Sequence, residues 1–174
     1  MNTSLCLGSP TQDSASYQNS FMHCTDTNVS IKTNDRALKT LARSITLSKN
    51  RFSLTFVRCD RSYPKHHILD LLRDRHNLVP AVLNIPVEAK RLYPITQNYW
   101  DTCDKNYVSA LFILGLEDVA HLDELLVSTN QDRNEFRHHF ACPLVIWIDD
   151  EITQKLIKLA PDFYNWASIP IYLG

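Results

Sequence analysis

Two apolar runs in this chain each end in acid. Ala110 to Leu116 (ALFILGL) leads into Glu117 and Asp118, and Pro143 to Ile148 (PLVIWI) leads into Asp149, Asp150 and Glu151. A carboxylate at the end of a buried strand is where a nucleotide-hydrolysing α/β core holds Mg²⁺ or orients a water, so Asp118, Asp149 and Asp150 are candidate acids of the Walker B kind. The same acids also stand where helices begin. There a carboxylate caps the first turn and meets the positive end of the helix dipole, an effect of about 0.3 to 1 kcal/mol. Capping is the preferred reading.

Phosphate chemistry would also need a cradle after the first strand. The three glycines, Gly8, Gly115 and Gly174, supply neither the phosphate-loop nor the dinucleotide fingerprint. In the place of a phosphate loop stands Cys59 to Pro64 (CDRSYP). Its side chains block close approach of the backbone to a phosphate, and Asp60 would repel one. Arg58, Arg61 and Lys65 leave anion binding through side chains open, and Arg133 is a fourth candidate contact. Cys59, near a helix start and two arginines, is the best-placed thiol nucleophile, with His66 and His67 close in sequence, although a buried inert cysteine is the preferred reading. The adjacent pairs His66-His67 and His138-His139 point in two directions on a helix and cannot chelate one metal from one face. Cys6, Cys24, Cys59, Cys103 and Cys142 contain no C-x-x-C spacing, so reduced thiols are expected. No metal and no cofactor is implied.

The elements that must position these residues follow from periodicity. Thr33-Asn34-Asp35 offers caps to a helix of about three turns bearing Leu38, Leu41, Ala42 and Ile45, which Ser48 to Asn50 ends. Arg51 to Cys59 alternates and is rich in β-branched and aromatic residues, as a first strand should be. Asp60 or Ser62 is expected to cap the next helix, with Pro64 in its first turn and Ile68, Leu69, Leu71 and Leu72 on it. Leu78 to Ile85 reads as a second strand, with Pro80 near its start or on an edge, and Pro94 opens a short helix bearing Ile95, Tyr99 and Cys103. Tyr107 to Leu116 is a strand covered on both faces and expected at the sheet centre. One long helix is expected from Val119 through Leu122, Leu125, Leu126 and Phe136 to Phe140. Pro143 to Ile148 is another two-sided strand, a helix carries Ile152, Leu156 and Leu159 until Pro161, and Ile169 to Leu173 is a last short strand. Such alternation gives right-handed crossovers and a three-layer α-β-α sandwich on a mostly parallel sheet of about five strands, like P-loop NTPase or Rossmann cores.

The chain has 174 residues, enough for one domain with a real core, here expected over 35–174. Residues 1–34, rich in Ser, Thr, Asn and Gln without a period, are expected to be a disordered leader. No apolar stretch approaches the ~20 residues that cross a bilayer, and no secretory or transit signal is visible, so no membrane association is expected and the cytoplasm is the expected compartment. The sequons at Asn2 and Asn28 therefore carry no weight. The net charge of −1 hides a division: residues 36–75 carry ten Lys/Arg against three Asp, and 117–162 carry ten acids against four bases. A basic face for an acidic partner or nucleic acid is one reading, but split charge is more often two solvated helical faces, and nucleic acid is not the expected partner.

At Leu111 to Trp166 the sequence becomes specific. N-x-x-R-x-x-F (Asn130, Arg133, Phe136), P-L-V-x-W (Pro143, Leu144, Val145, Trp147) and A-P-D-F-x-x-W (Ala160, Pro161, Asp162, Phe163, Trp166) resemble an α/β domain of cyanobacterial multidomain signalling proteins. That domain is related to the P-loop cores of STAND-type proteins, often lacks a Walker A, and is coupled to tetratricopeptide or WD40 repeats. The chain departs from it at Ala167, where the family often has Arg, and stops at Gly174 without repeats. A lost tail, a truncated gene and a stand-alone homologue acting in trans all fit that departure. The resemblance implies a non-catalytic regulatory or scaffolding module whose partners are proteins, including repeat-domain signalling proteins. A degenerate nucleotide-binding domain or Mg²⁺-dependent NTPase is the first alternative, and an anion- or nucleic-acid-binding module using residues 36–75 is the second. Arg133 is expected to tie to Asp162 or Asp149, and Trp147, Phe163 and Trp166 to pack rather than cage a ligand.

Overall fold

The computed structural model describes residues 35–173, so the leader expected over 1–34, with Cys6 and Cys24, lies outside the described residues. The elements run α1 (Asp35–Leu47), β1 (Ser53–Arg58), α2 (Lys65–His76), β2 (Pro80–Asn84), α3 (Leu92–Thr102), β3 (Ala110–Leu114), a 3-10 turn (Leu116–Asp118), α4 (Leu122–Gln131), α5 (Arg133–His139), β4 (Pro143–Ile148), α6 (Asp150–Leu159), α7 (Pro161–Asn165) and β5 (Ile171–Tyr172). The five strands form one parallel sheet in the order β2-β3-β4-β1-β5. The fold is the three-layer α/β sandwich that the alternation of strands and helices requires.

Strand side chains alternate between two cores, so register decides which helix each one meets. Leu54, Phe56, Leu111, Ile113, Leu144, Ile146 and Ile148 pack with α3 to α7 on one face. Val57, Ala110, Phe112, Leu114, Val145 and Trp147 pack with α1 and α2 on the other. Buried on both faces, β3 and β4 are apolar at every position. β3 is interior, but the middle strand is β4, which pairs with both β3 and β1. Pro80 opens β2 at the sheet edge, where its missing N–H costs least. Gly115, with φ at +86°, turns the chain out of β3 against Ile85, a conformation other residues adopt only under strain.

The long helix expected from Val119 to Phe140 is two helices, broken at Asp132. The Asp132 N–H closes α4 on the Ser128 carbonyl at 2.9 Å, and its carboxylate accepts two hydrogen bonds from Arg91 at 3.0 and 2.9 Å. The break lets α5 aim Phe136 at Tyr93 and bring Phe140 to Trp100 beyond its end, at centroid separations of 5.3 and 6.2 Å. Pro161 ends the α6 segment and occupies the first turn of α7. The expected caps on α2 do not form: Pro64 holds the cap position, with no side-chain hydrogen bond from Asp60 or Ser62.

Candidate functional site

In an open parallel sheet the natural ligand crevice lies beyond the carboxyl ends of two adjacent strands whose crossovers leave on opposite faces. Here those strands are β1, which continues into α2 on one face, and β4, which continues into α6 on the other. The chain leaves β1 at Arg58 beside Ile148 of β4, so Cys59 to Lys65 and Asp149 to Glu151 face one another. The structure thus brings Arg58, Arg61, Lys65, Asp149 and Asp150 together from 92 residues of intervening sequence, with Glu117 and Asp118 from the end of β3.

Each cation is met by a carboxylate of its own chain. Lys65, at the first position of α2, pairs with Glu117, and both side chains are largely buried, 15% and 13% exposed. Arg58 pairs with Asp150, donates to the Tyr172 hydroxyl at 3.0 Å and lies over the Tyr172 ring. Arg61 donates to Asp149 at 3.0 Å and reaches Glu151 at 3.7 Å, with Asp118 adding to the field that raises its pKa further. Asp149 also caps α6: its second oxygen accepts the Ile152 N–H at 2.8 Å. The capping reading therefore holds for Asp149. It fails for Glu117 and Asp118, which lie in the 3-10 turn while His121 precedes α4, and Glu117 is spent on Lys65 instead.

The backbone offers no cradle. The N–H groups of Lys65 and His67 donate to Tyr63 and Pro64 carbonyls at 2.8 and 3.0 Å, leaving little of the first turn of α2 to meet an anion. Beneath the loop, burial pushes the Cys59 thiol up to about 11, partly offset by a hydrogen bond of 2.7 Å from the Trp147 indole N–H. A thiol so held is protonated and shielded, which is the inert reading rather than the nucleophile. His66, His67, His138 and His139 are exposed, and no group of His, Cys, Asp and Glu suited to a metal occurs among the described residues. Beside the crevice lies a hollow of about 420 Å³ whose lining includes Arg61, Glu117, Glu124, Glu151 and Lys155. Lys155 bridges Asp123 at 2.9 Å and Glu151 at 3.7 Å across it.

Arg133 is not part of this site. It begins α5, separated from the crevice end of α4 by about 15 Å of helix. It donates to the Asn130 carbonyl at 2.7 Å and pairs with Asp162 at 3.7 Å, the structural tie expected of it. Asn130 performs a role the sequence did not reveal: its side-chain oxygen accepts the Phe163 N–H at 3.0 Å and so caps α7 from another helix. Phe136 and Phe163 pack at 5.3 Å, Trp147 is buried against Phe112, and Trp166 packs edge-on to Phe52. The motif residues are thus joints between helices and sheet. No protein family, no characterised protein and no solved structure matches this chain.

Proposed function

We propose that this chain is a non-catalytic regulatory or scaffolding α/β module of the STAND-associated signalling type, acting in the cytoplasm and binding protein partners. The observation that carries this reading is the self-paired crevice: Arg58, Arg61 and Lys65 are each neutralised by Asp150, Asp149 or Glu117. A phosphate entering there would have to displace a carboxylate from a site without a backbone cradle. The far edge of the sheet supports a protein partner: β5 is only two residues long, its Tyr172 is 56% exposed, and Ile169 just before it is 87% exposed. Apolar and aromatic anchors of this kind dominate protein interfaces.

A second reading, a degenerate nucleotide site, is favoured by Lys65, which keeps a cation at the start of the helix after β1 within reach of an acid at the end of β3. Titration with ATP and GTP, each with and without Mg²⁺, separates the two by thermal shift. The proposed module shows no shift at millimolar nucleotide. A saturable, Mg²⁺-dependent shift that disappears in Asp149→Asn establishes the nucleotide site instead.

A further inference from the structure

The cations outside the crevice are not distributed evenly. Arg73, Arg75, Lys90, Arg91, Lys105, Arg133 and Lys155 each have a carboxylate within 4 Å, and Arg137 lies over the Trp166 ring. Among the described residues, Lys158 on α6 has neither but stands alone, since Lys155 one turn before it is paired, whereas Arg36, Lys39 and Arg43 have neither and all three are exposed together on α1. The turn that follows adds Lys49 and Arg51, also exposed and without a carboxylate; Arg51 donates only to the Leu47 carbonyl.

This stripe runs against the interests of its own helix. Arg36 and Lys39 are three residues apart, Lys39 and Arg43 four, so like charges are neighbours on one face. Arg36 also sits in the first turn, where the helix dipole disfavours a cation. The opposite side of α1 buries Ala37, Leu38, Leu41, Ala42 and Ile45 in the core, which requires no positive charge outside. Local rules broken without an internal gain mark a place where the compensating partner lies outside the chain.

We infer that the outer face of α1 binds the phosphate backbone of nucleic acid, without reading its sequence. A protein partner or a lipid surface would each want something this face lacks. Protein interfaces are anchored by buried aromatic and apolar residues, and the exposed large apolar side chains lie elsewhere except for Leu47 at the end of α1. An interfacial helix needs a free apolar face to insert, and that of α1 is buried. A nucleic-acid backbone needs only cations at a suitable pitch. Arg36 to Arg43 covers about 10 Å of helix axis, over which one strand of a duplex presents about three phosphates.

The test is fluorescence anisotropy with a labelled random-sequence duplex, titrated between 50 and 200 mM salt. Three to five contacts give a slope of log K on log salt between about −2.7 and −4.5. Arg36→Gln/Lys39→Gln/Arg43→Gln weakens binding tenfold or more at low salt and flattens the slope, while its melting temperature does not fall, because the three side chains make no hydrogen bond or ion pair and their mutual repulsion is relieved. Lys90→Gln/Lys155→Gln, which removes paired cations from the other layer, leaves binding unchanged. Parallel titrations use phosphatidylserine-containing vesicles and polyglutamate. Absence of duplex binding at 50 mM salt, an unaltered triple variant, or binding confined to vesicles or polyglutamate overturns the assignment.

Discussion

The crevice beyond β1 and β4 and the outer face of α1 both gather cations, and they treat them in opposite ways. In the crevice, Arg58, Arg61 and Lys65 arrive from one loop and meet acids from the ends of β3 and β4. On α1, Arg36, Lys39 and Arg43 stand next to each other with no carboxylate within 4 Å among the described residues, the neighbouring Asp35 being turned to Arg75. Composition alone ranks these regions equally, since both belong to the basic stretch 36–75. The fold separates them: α1 and α2 form one outer layer, the acidic stretch 117–162 supplies most of the other, and the charges of the two stretches pair only beyond the carboxyl ends of the strands among the described residues. A positively charged segment becomes a binding surface only where its own fold brings it no counter-charge.

The contrast can be broken first at Lys65. Replacing it with Met leaves Glu117 largely buried and unpaired, and should cost about 2 to 3 kcal/mol in urea unfolding. Adding Glu117→Leu should recover most of that loss; no recovery would mean that the pair is not what holds the crevice closed. The crevice floor gives a pH signature of similar size. Cys59 titrates at about 11 in the folded chain against an ordinary value near 9. Below pH 9 both states keep the proton and nothing changes. Between pH 9 and 11 the unfolded chain loses it and the folded chain does not, so stability falls by about 2 to 3 kcal/mol through Cys59. Denaturation curves at pH 8 and 10 should therefore diverge more in the parent than in Cys59→Ser.

Asp149→Ala removes the α6 cap and the partner of Arg61 together, an expected loss of about 1 kcal/mol. The smallest effect has the opposite sign. Arg43→Gln removes the like-charge neighbour of Lys39 without touching Asp35, and should stabilise the chain by about 0.2 to 0.5 kcal/mol while weakening duplex binding. Loss of stability together with retained binding would show that the stripe serves the fold.

Much of this was open to reading from the sequence, because two-sided strands and amphipathic helices write their periods locally. The strand Pro143 to Ile148 is legible to the residue, and Pro80 marks a strand start or edge and is both. The break at Asp132 was hidden, because it depends on Arg91, 41 residues earlier, and the apolar period continues through it. The same holds for the Asn130 cap on α7, made across 33 residues. The candidate site shows the same limit. Loop position nominated Arg58, Arg61 and Lys65, but whether those charges are free or spent depends on Glu117, Asp149 and Asp150, which only strand order brings to them. The acid that matters to Lys65 is Glu117 and not its neighbour Asp118, a choice made by the 3-10 turn after Gly115.

A crevice whose own carboxylates close it to anions should open when one of those carboxylates is removed. Calorimetric titration of the parent chain and Glu117→Gln with pyrophosphate tests it most directly. The expected result is no saturable heat from the parent at millimolar ligand and measurable binding by Glu117→Gln, in which Lys65 is released. Saturable binding by the parent, as tight as by the variant, would contradict it.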